Sequence, residues 1–182
     1  MEQWISLWIN LITSLTHDNS VYDLLKLKQK EILIATTGNP SIDFWDSNNY
    51  KKLHSIKGHN AWCLGKKTIE LPNGLIAISS CASGSPLLII DPLSYSIIKE
   101  IKEQEYITGN SSLCVLDPYS FVYVYDGKVL QISIGNEYRI LYKTNAEQQL
   151  HGEYGLISVK GGEYLIVVNN SKTGFEVVKP YY

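Results

Sequence analysis

The chain has 182 residues, enough to bury one sizeable core, and its 16 Lys and Arg against 18 Asp and Glu leave a formal net charge of -2. Only Arg139 is an arginine, whereas proteins that read nucleic acid rely on the planar donor fork of arginine. The composition therefore disfavours a nucleic-acid partner. Thirteen Tyr against a single Met, with abundant Ile and Val, favour sheet over helix.

The cysteines and the first residues indicate a cellular compartment. Cys63, Cys81 and Cys114 are an odd number at wide spacing, with no CxxC pair and no cluster with histidine. We therefore expect reduced thiols and no metal site. The stretch 1–15 carries an acidic residue where an export signal needs basic ones, and no run approaches the ~18 apolar residues of a membrane span. These features predict a soluble, cytoplasmic protein with no membrane partner.

Short apolar runs that end in turn residues recur along the chain. Aligning these runs places five turn residues at successive intervals of 36, 45, 42 and 46 residues, namely Asn10, Asp46, Asp91, Ser133 and Lys179. The mean interval of about 42 residues lies within the ~40–45 that four-stranded propeller blades require. The chain is therefore predicted to be a repeat protein.

Within each repeat, turn residues separate short strand-like runs. In chain order the predicted strands are 20–28, 31–37, 42–46 and 50–56; then 61–71, 75–82, 87–91 and 95–101; then 112–116, 120–125, 128–134 and 138–144; and finally 155–160, 163–170 and 175–179. Asp126-Gly127 predicts a tight hairpin turn in the third repeat. The stretch 2–15 fits either a strand or a short amphipathic helix.

The first repeat carries residues in a recognisable pattern. Trp45-Asp46 ends its third predicted strand, and Gly58-His59 follows 13 residues after Asp46. The boundary before it has the same form, and its His17 precedes Trp45 by 28 residues. In these features the chain resembles the WD40-repeat family of β-propellers.

The resemblance implies a buried hydrogen-bonded chain of a histidine, a serine or threonine, an aspartate and a tryptophan in each well-formed repeat. In the first repeat the matching residues are His17, Thr36 or Thr37, Trp45 and Asp46, with Asn39 in the place of the family's aspartate. In the second repeat they are His59, Ser79 or Ser80, Ser85 and Ile90. The third and fourth repeats are identified by their period.

We therefore predict an all-β, WD40-like propeller of roughly four four-stranded blades. It forms one domain over 1–182, with blade edges near 17–59, 60–104, 107–145 and 152–182. A seven-bladed propeller would need about 290 residues at this period. Three explanations stay open: a truncated product, closure with four or five blades, and completion by another chain.

The resemblance also implies a scaffold that binds proteins or peptides and performs no chemistry. No nucleotide-binding or nucleophile-elbow motif indicates a catalytic residue or a cofactor. Loops at one end of a propeller form a rim, and the predicted rim residues are Asn19, Tyr22, Asn39, Pro40, Asn60, Trp62 and Ser85. The two aromatic residues among them fit equally as core between blades. One alternative is a fragment without a role of its own. The other is a propeller hydrolase or lyase, which would need at least two titratable side chains to converge, chosen from Asp43, Asp91, Asp126 and His151.

Overall fold

The computed structural model describes most of the sheet-forming part of the chain. The described residues are 13–17, 20–38, 41–57, 64–80, 86–102, 111–125, 128–135, 138, 140–143, 156–159, 164–169 and 174–178. Within these ranges there are fifteen strands and no helix.

The strands form four antiparallel sheets in chain order. Their bounds are β1 Val21–Lys26, β2 Ile32–Thr37, β3 Ser41–Asp46, β4 Lys52–Lys57, β5 Leu64–Glu70, β6 Ile76–Ser80, β7 Leu87–Asp91, β8 Ser96–Ile101, β9 Ser111–Asp117, β10 Ser120–Tyr125, β11 Lys128–Ser133, β12 Ile140–Lys143, β13 Leu156–Val159, β14 Tyr164–Asn169 and β15 Gly174–Val178. Sheet 1 contains β1 to β4, sheet 2 contains β5 to β8, sheet 3 contains β9 to β12, and sheet 4 contains β13 to β15.

Each sheet is a meander in which strands that follow one another in sequence are paired. The sheets also contact one another in chain order, and the first strands β1, β5, β9 and β13 lie next to one another. A series of small sheets that meet along their first strands is the arrangement of propeller blades. The described part of the chain therefore fits a β-propeller-like fold.

Sheet 2 is buried on both faces, and β7 shows how its sequence permits this. Leu88 and Ile90 pack against sheet 1, whereas Leu87 and Ile89 pack against sheet 3, and all four are at most 1% exposed. Successive residues of a strand point to opposite faces. A strand covered on both sides therefore needs a continuous apolar run, which LLII supplies.

Sheet 1 is apolar on the face that meets sheet 2. Ile34, Ile42 and Phe44 point to that face and are fully buried. Asp43 lies between Ile42 and Phe44 in β3, so its side chain points to the opposite face. The same face receives the segment 13–17, which is neither strand nor helix.

A leucine at the end of the first strand recurs in sheets 1, 2 and 3. Leu27, Leu71 and Leu116 are 1%, 2% and 3% exposed. The backbone N–H of Leu27 donates to the carbonyl of Ile32 at 3.0 Å, and that of Leu71 donates to the carbonyl of Leu75 at 2.8 Å. The repeat therefore extends to the core positions and to the hydrogen bonds that close the first hairpin.

The all-β prediction is confirmed for the described residues, and the predicted strands match the observed bounds to within three residues. For residues 13–15, both interpretations of the stretch 2–15 are wrong, because these residues are irregular. Residues 2–12 and the predicted Asp126-Gly127 turn lie outside the described residues. The strands that flank this turn do pair, with Tyr125 opposite Lys128.

Candidate functional site

A buried carboxylate in the middle of β3 connects several segments of sheet 1. Asp43 Oδ1 accepts a hydrogen bond from Ser55 Oγ at 2.6 Å, and Asp43 Oδ2 lies 3.1 Å from His17 Nδ1 and 2.8 Å from Lys52 Nζ. Ser55 is opposite Asp43 in the antiparallel register, so the two side chains share a face. The side chains of His17 and Asp43 are 8% and 4% exposed. Groups from the segment 13–17 and from β4 therefore converge on one carboxylate.

Trp45 lies beside this carboxylate, two residues further along β3 and on the same face. Its ring meets the His17 ring edge-on, with centroids 5.4 Å apart, and Lys52 Nζ lies 5.2 Å from the Trp45 ring centroid. Trp45 Nε1 is buried and has no hydrogen-bond partner among the described residues. We call His17, Asp43, Trp45, Lys52 and Ser55 the Asp43 cluster. In it a histidine and a tryptophan at the predicted positions are in contact, and Asp43 supplies the carboxylate.

The electrostatics of the Asp43 cluster favour a charged carboxylate. Burial opposes ionisation of Asp43, but hydrogen bonds from Lys52 and Ser55 and the positive charge of Lys52 outweigh it, so its pKa lies below the ordinary value. Both oxygens are engaged by neighbouring donors. A general base needs an oxygen that can reach a substrate proton, so this geometry suits a structural role.

Asp46, Thr37 and Ser79 are further members of the predicted network that the structure describes. Asp46 ends β3, and its Oδ1 accepts hydrogen bonds from two backbone N–H groups of the following turn at 2.8 and 3.2 Å. Thr37 Oγ1 lies 2.8 Å from Ser41 Oγ across the turn between β2 and β3. In sheet 2, Ser79 Oγ donates to the Lys67 carbonyl at 3.2 Å. Each of these groups ties neighbouring backbone segments together.

Seven of the predicted residues lie outside the described residues, and what was predicted of them stays a prediction: Asn19, Asn39, Pro40, His59, Asn60, Trp62 and Ser85. Asp43 is the member of the network that sequence reasoning missed. A signal for it exists, since a single acidic residue between Ile42 and Phe44 in a buried strand needs a partner of its own.

Tyr22 is the described member of the predicted rim. It is 47% exposed, so it does not lie in the core between sheets. A Cβ on Gly38 would lie 3.0 Å from Tyr22 Cε2, so a larger residue at position 38 would push the Tyr22 ring slightly away from the backbone. The Gly38 N–H donates to the Ser20 carbonyl at 2.9 Å. Tyr22 is therefore an exposed ring supported by backbone at one end of sheet 1.

An open cleft of about 290 Å³ lies at the opposite end of β1, between sheets 1, 2 and 3. Its lining consists of Lys28, Gln29, Glu70, Leu71, Pro72 and Val115. The Lys28 N–H donates to the Glu70 carboxylate at 2.8 Å, which joins the first hairpins of sheets 1 and 2. Ligand pockets generally start at about 300 Å³, so the cleft is small for a ligand-binding site.

The groups that a hydrolase or lyase would use are placed as follows. Asp43 belongs to the cluster in the middle of sheet 1, and Asp91 ends β7, where it accepts hydrogen bonds from its own turn. Asp126 and His151 lie outside the described residues. Among the residues described, no three His, Cys, Asp or Glu side chains are grouped to hold a metal ion.

Two observations bear on the thiols and on membranes. Burial raises the pKa of the Cys114 thiol in β9 to about 12, so this cysteine is protonated and unreactive at neutral pH. Cys63 and Cys81 lie outside the described residues. In the part of the chain that the structure covers, no helix is long and apolar enough to cross a membrane.

Comparison with known proteins finds relatives by structure. No protein-family model and no curated protein matches the chain. The chain is similar to a chain in the crystal structure of a mitotic checkpoint complex, with a TM-score of 0.72, 13% identity, and coverage of 91% of this chain and 52% of that chain. It is also similar to the computationally designed Ika8 protein, with a TM-score of 0.66, 14% identity, and coverage of 90% of this chain and 47% of that chain.

These likenesses support a WD40-like β fold at low sequence identity. In all, 581 solved chains match, so the architecture is widespread and does not by itself select a function. The chain spans about half the length of the two solved chains, 52% of one and 47% of the other.

Proposed function

We propose that this chain is a non-enzymatic protein-binding module built on a WD40-like propeller, and that a protein or peptide docks on the rim around Tyr22. The observation that carries this proposal is the exposed Tyr22 ring, which is 47% exposed and rests against Gly38. A rigid aromatic side chain loses little conformational entropy on binding and contributes large contact area. The first solved structure is of a protein complex, which agrees with protein partners in general.

The state of the buried charges supports a role without chemistry. Asp43 is held by Ser55, His17 and Lys52, and Asp91 by its own turn. Both carboxylates thus act as acceptors within the protein's own structure. A catalytic carboxylate would instead face a cleft that a substrate can enter.

We also propose that the four sheets are propeller blades with edges near 17–59, 60–104, 107–145 and 152–182. Each sheet falls within one of these intervals, since sheet 1 starts at Val21, sheet 2 at Leu64, sheet 3 at Ser111 and sheet 4 at Leu156. The turns and loops at the two ends of the strands then form the two ends of the propeller. Tyr22 lies at one end and the small cleft at the other.

Partner capture followed by a direct binding measurement tests this function. Proteins retained from a host lysate by the immobilised chain are identified, purified and titrated against variants. Tyr22→Ser is expected to weaken binding about tenfold or more, as loss of an aromatic hot spot does. Two control variants are expected to bind as the unmodified chain does. One is Lys28→Ser in the cleft, and the other is Tyr119→Ser, which replaces a tyrosine 77% exposed on the first turn of sheet 3.

Two results would overturn the proposal. One is equal affinity of Tyr22→Ser and the unmodified chain for every captured protein. The other is turnover of a small molecule by the purified chain that Asp43→Asn or Asp91→Asn abolishes.

A further inference from the structure

A tyrosine in the turn before the last strand makes a repeated contact between sheets. Tyr50, Tyr95 and Tyr138 all have a left-handed backbone, with φ of 59°, 52° and 48°. In sheets 2 and 3 this tyrosine reaches back to the sheet before it. Tyr95 meets Phe44 of sheet 1 edge-on, with ring centroids 5.0 Å apart, and the Tyr138 hydroxyl accepts a hydrogen bond from Asn73 of sheet 2 at 3.1 Å.

Tyr50 occupies the same position in sheet 1 but is 38% exposed, whereas Tyr138 is 5% exposed. From the equivalent position of Tyr95, which meets the sheet before its own, we infer that the Tyr50 ring lies on the face of sheet 1 that is turned away from sheet 2. We call that face the leading face. It carries Leu24, Leu33 and Trp45, because the pairing register of β1, β2 and β3 and the alternation of side chains along each strand put these three residues on the same side of sheet 1. Leu24 is 60% exposed. The leading face also carries the Asp43 cluster, which the segment 13–17 contacts. It is open at Leu24, on the side where sheets 2 and 3 have a preceding sheet.

Sheet 4 has a corresponding open position at the other end of the series. Val177 lies in the third strand of its sheet, two residues before the end of the aligned repeat, as do Phe44 and Ile89. Phe44 and Ile89 pack against the next sheet and are fully buried. Val177 is 58% exposed. We call the face of sheet 4 that carries Val177 the trailing face.

We propose that the leading face of one chain binds the trailing face of a second copy, and that two such contacts close a two-fold pair. The contact would repeat the one that joins sheet 1 to sheet 2 and sheet 2 to sheet 3, with Tyr50 in the role of Tyr95. Tyr50 and Val177 do not cover each other within one chain, since both are exposed. One chain spans 52% and 47% of the two solved chains, so two copies supply about the length of one of them.

The symmetry of the pair explains why a second copy is the partner rather than a different protein. Each copy offers one leading and one trailing face, so two copies related by a two-fold axis satisfy all four faces and leave none open. This pairing is independent of binding at the Tyr22 rim. A variant that no longer forms the two-chain pair can therefore still bind a protein at the Tyr22 rim, so failure of this proposal can be distinguished from failure of the proposed function.

The molar mass of the 182-residue chain in solution tests the proposal. Size-exclusion chromatography with light scattering is expected to give twice the 20.6 kDa of one chain. Tyr50→Asp and Val177→Asp are each expected to give the mass of one chain with an unchanged far-ultraviolet circular dichroism spectrum. Aspartate tolerates the left-handed backbone at position 50. Leu24→Ser provides a milder change on the leading face should Tyr50→Asp fold poorly, and Tyr119→Asp is the matched control that keeps the pair.

A mixing experiment distinguishes this specific contact from non-specific association of the chains. Tyr50→Asp keeps an intact trailing face and Val177→Asp keeps an intact leading face, so a mixture of the two has one good contact and is expected to recover the mass of two chains. The proposal is overturned by a one-chain mass of the unmodified protein at all concentrations, by a pair that survives both substitutions, by no recovery on mixing, or by open assemblies larger than two chains.

Discussion

Asp43 shows at the residue scale what the chain requires of a buried charge. It lies between two fully buried apolar residues, and removal of a carboxylate from water costs several kcal/mol unless donors replace the water. His17, Lys52 and Ser55 are those donors. The sequence pattern predicted His17 and Trp45, because their spacing follows the repeat. It did not predict Asp43 as their partner, since that contact depends on where the irregular segment 13–17 crosses the sheet.

Replacement of Asp43 is expected to destabilise the protein. Asp43→Ala leaves Ser55 and the buried His17 without their acceptor, while the half-exposed Lys52 can regain water. We therefore expect a loss of about 2 to 3 kcal/mol in the free energy of unfolding, measured by chemical denaturation. Glu100→Ala removes an exposed ion pair with Lys102 and is expected to cost less than about 1 kcal/mol. Equal effects of the two substitutions would contradict the role given to Asp43.

The lowered pKa of Asp43 predicts a specific pH dependence. Folding favours the deprotonated carboxyl, so its contribution to stability is complete above the unfolded pKa of about 4 and is lost as the pH falls through the lower folded pKa. In Asp43→Asn this contribution is absent at every pH. The difference in free energy of unfolding between the unmodified chain and Asp43→Asn should therefore shrink from pH 7 to pH 3. A difference that stays constant over this range would contradict the prediction.

At the element scale, local pattern was a good guide to the described strands, whereas it did not predict the irregular backbone of residues 13–15. β7 and β10 match their predicted bounds because apolar runs and turn residues delimit them in the sequence itself. The tyrosines at positions 50, 95 and 138 were predicted only as strand starts. Their left-handed backbone was not predicted, since glycine or asparagine is the usual residue there. The spacing of four residues from Asp46 to Tyr50 and from Asp91 to Tyr95 is the signal that would have found two of them.

Burial of β7 on both faces can be tested with two neighbouring substitutions. Leu88→Ala opens a cavity toward sheet 1 and Ile89→Ala opens one toward sheet 3. Each is expected to cost about 2 to 5 kcal/mol in the free energy of unfolding. Ile98→Ala in β8, at a residue 50% exposed, should cost much less. A small effect of either β7 substitution would mean that one face of sheet 2 is open.

The turn tyrosines differ in what they contribute to the contact between sheets. Tyr138 contributes its hydroxyl, which accepts a hydrogen bond from Asn73 in a buried site. Tyr138→Phe is therefore expected to cost about 1 kcal/mol in thermal or chemical denaturation. Tyr95 acts through its ring, which stacks on His54 with centroids 4.8 Å apart. Tyr95→Phe should therefore leave stability unchanged, and a loss equal to that of Tyr138→Phe would contradict this division.

At the scale of the whole molecule, stability depends on what covers each sheet. The strand β7 of sheet 2 is buried on both faces because sheet 2 has a neighbour on both sides, whereas sheets 1 and 4 have a described neighbour on one side. The period in the sequence predicted that similar antiparallel units follow one another along the chain. It could not predict which sheet faces are exposed, because the exposure of a face depends on the sheet that packs against it and not on the sequence of the sheet itself.

The two end faces predict that stability depends on chain concentration. If two chains cover each other's end faces, unfolding also separates the pair, so mass action raises the midpoint of thermal unfolding as concentration rises. A hundredfold increase is expected to raise it by about 2 to 5 °C for the unmodified chain and for Tyr119→Asp. Tyr50→Asp and Val177→Asp, which each spoil both contacts of a uniform pair, should unfold at a midpoint independent of concentration. A flat midpoint for the unmodified chain would show that the end faces stay open in solution.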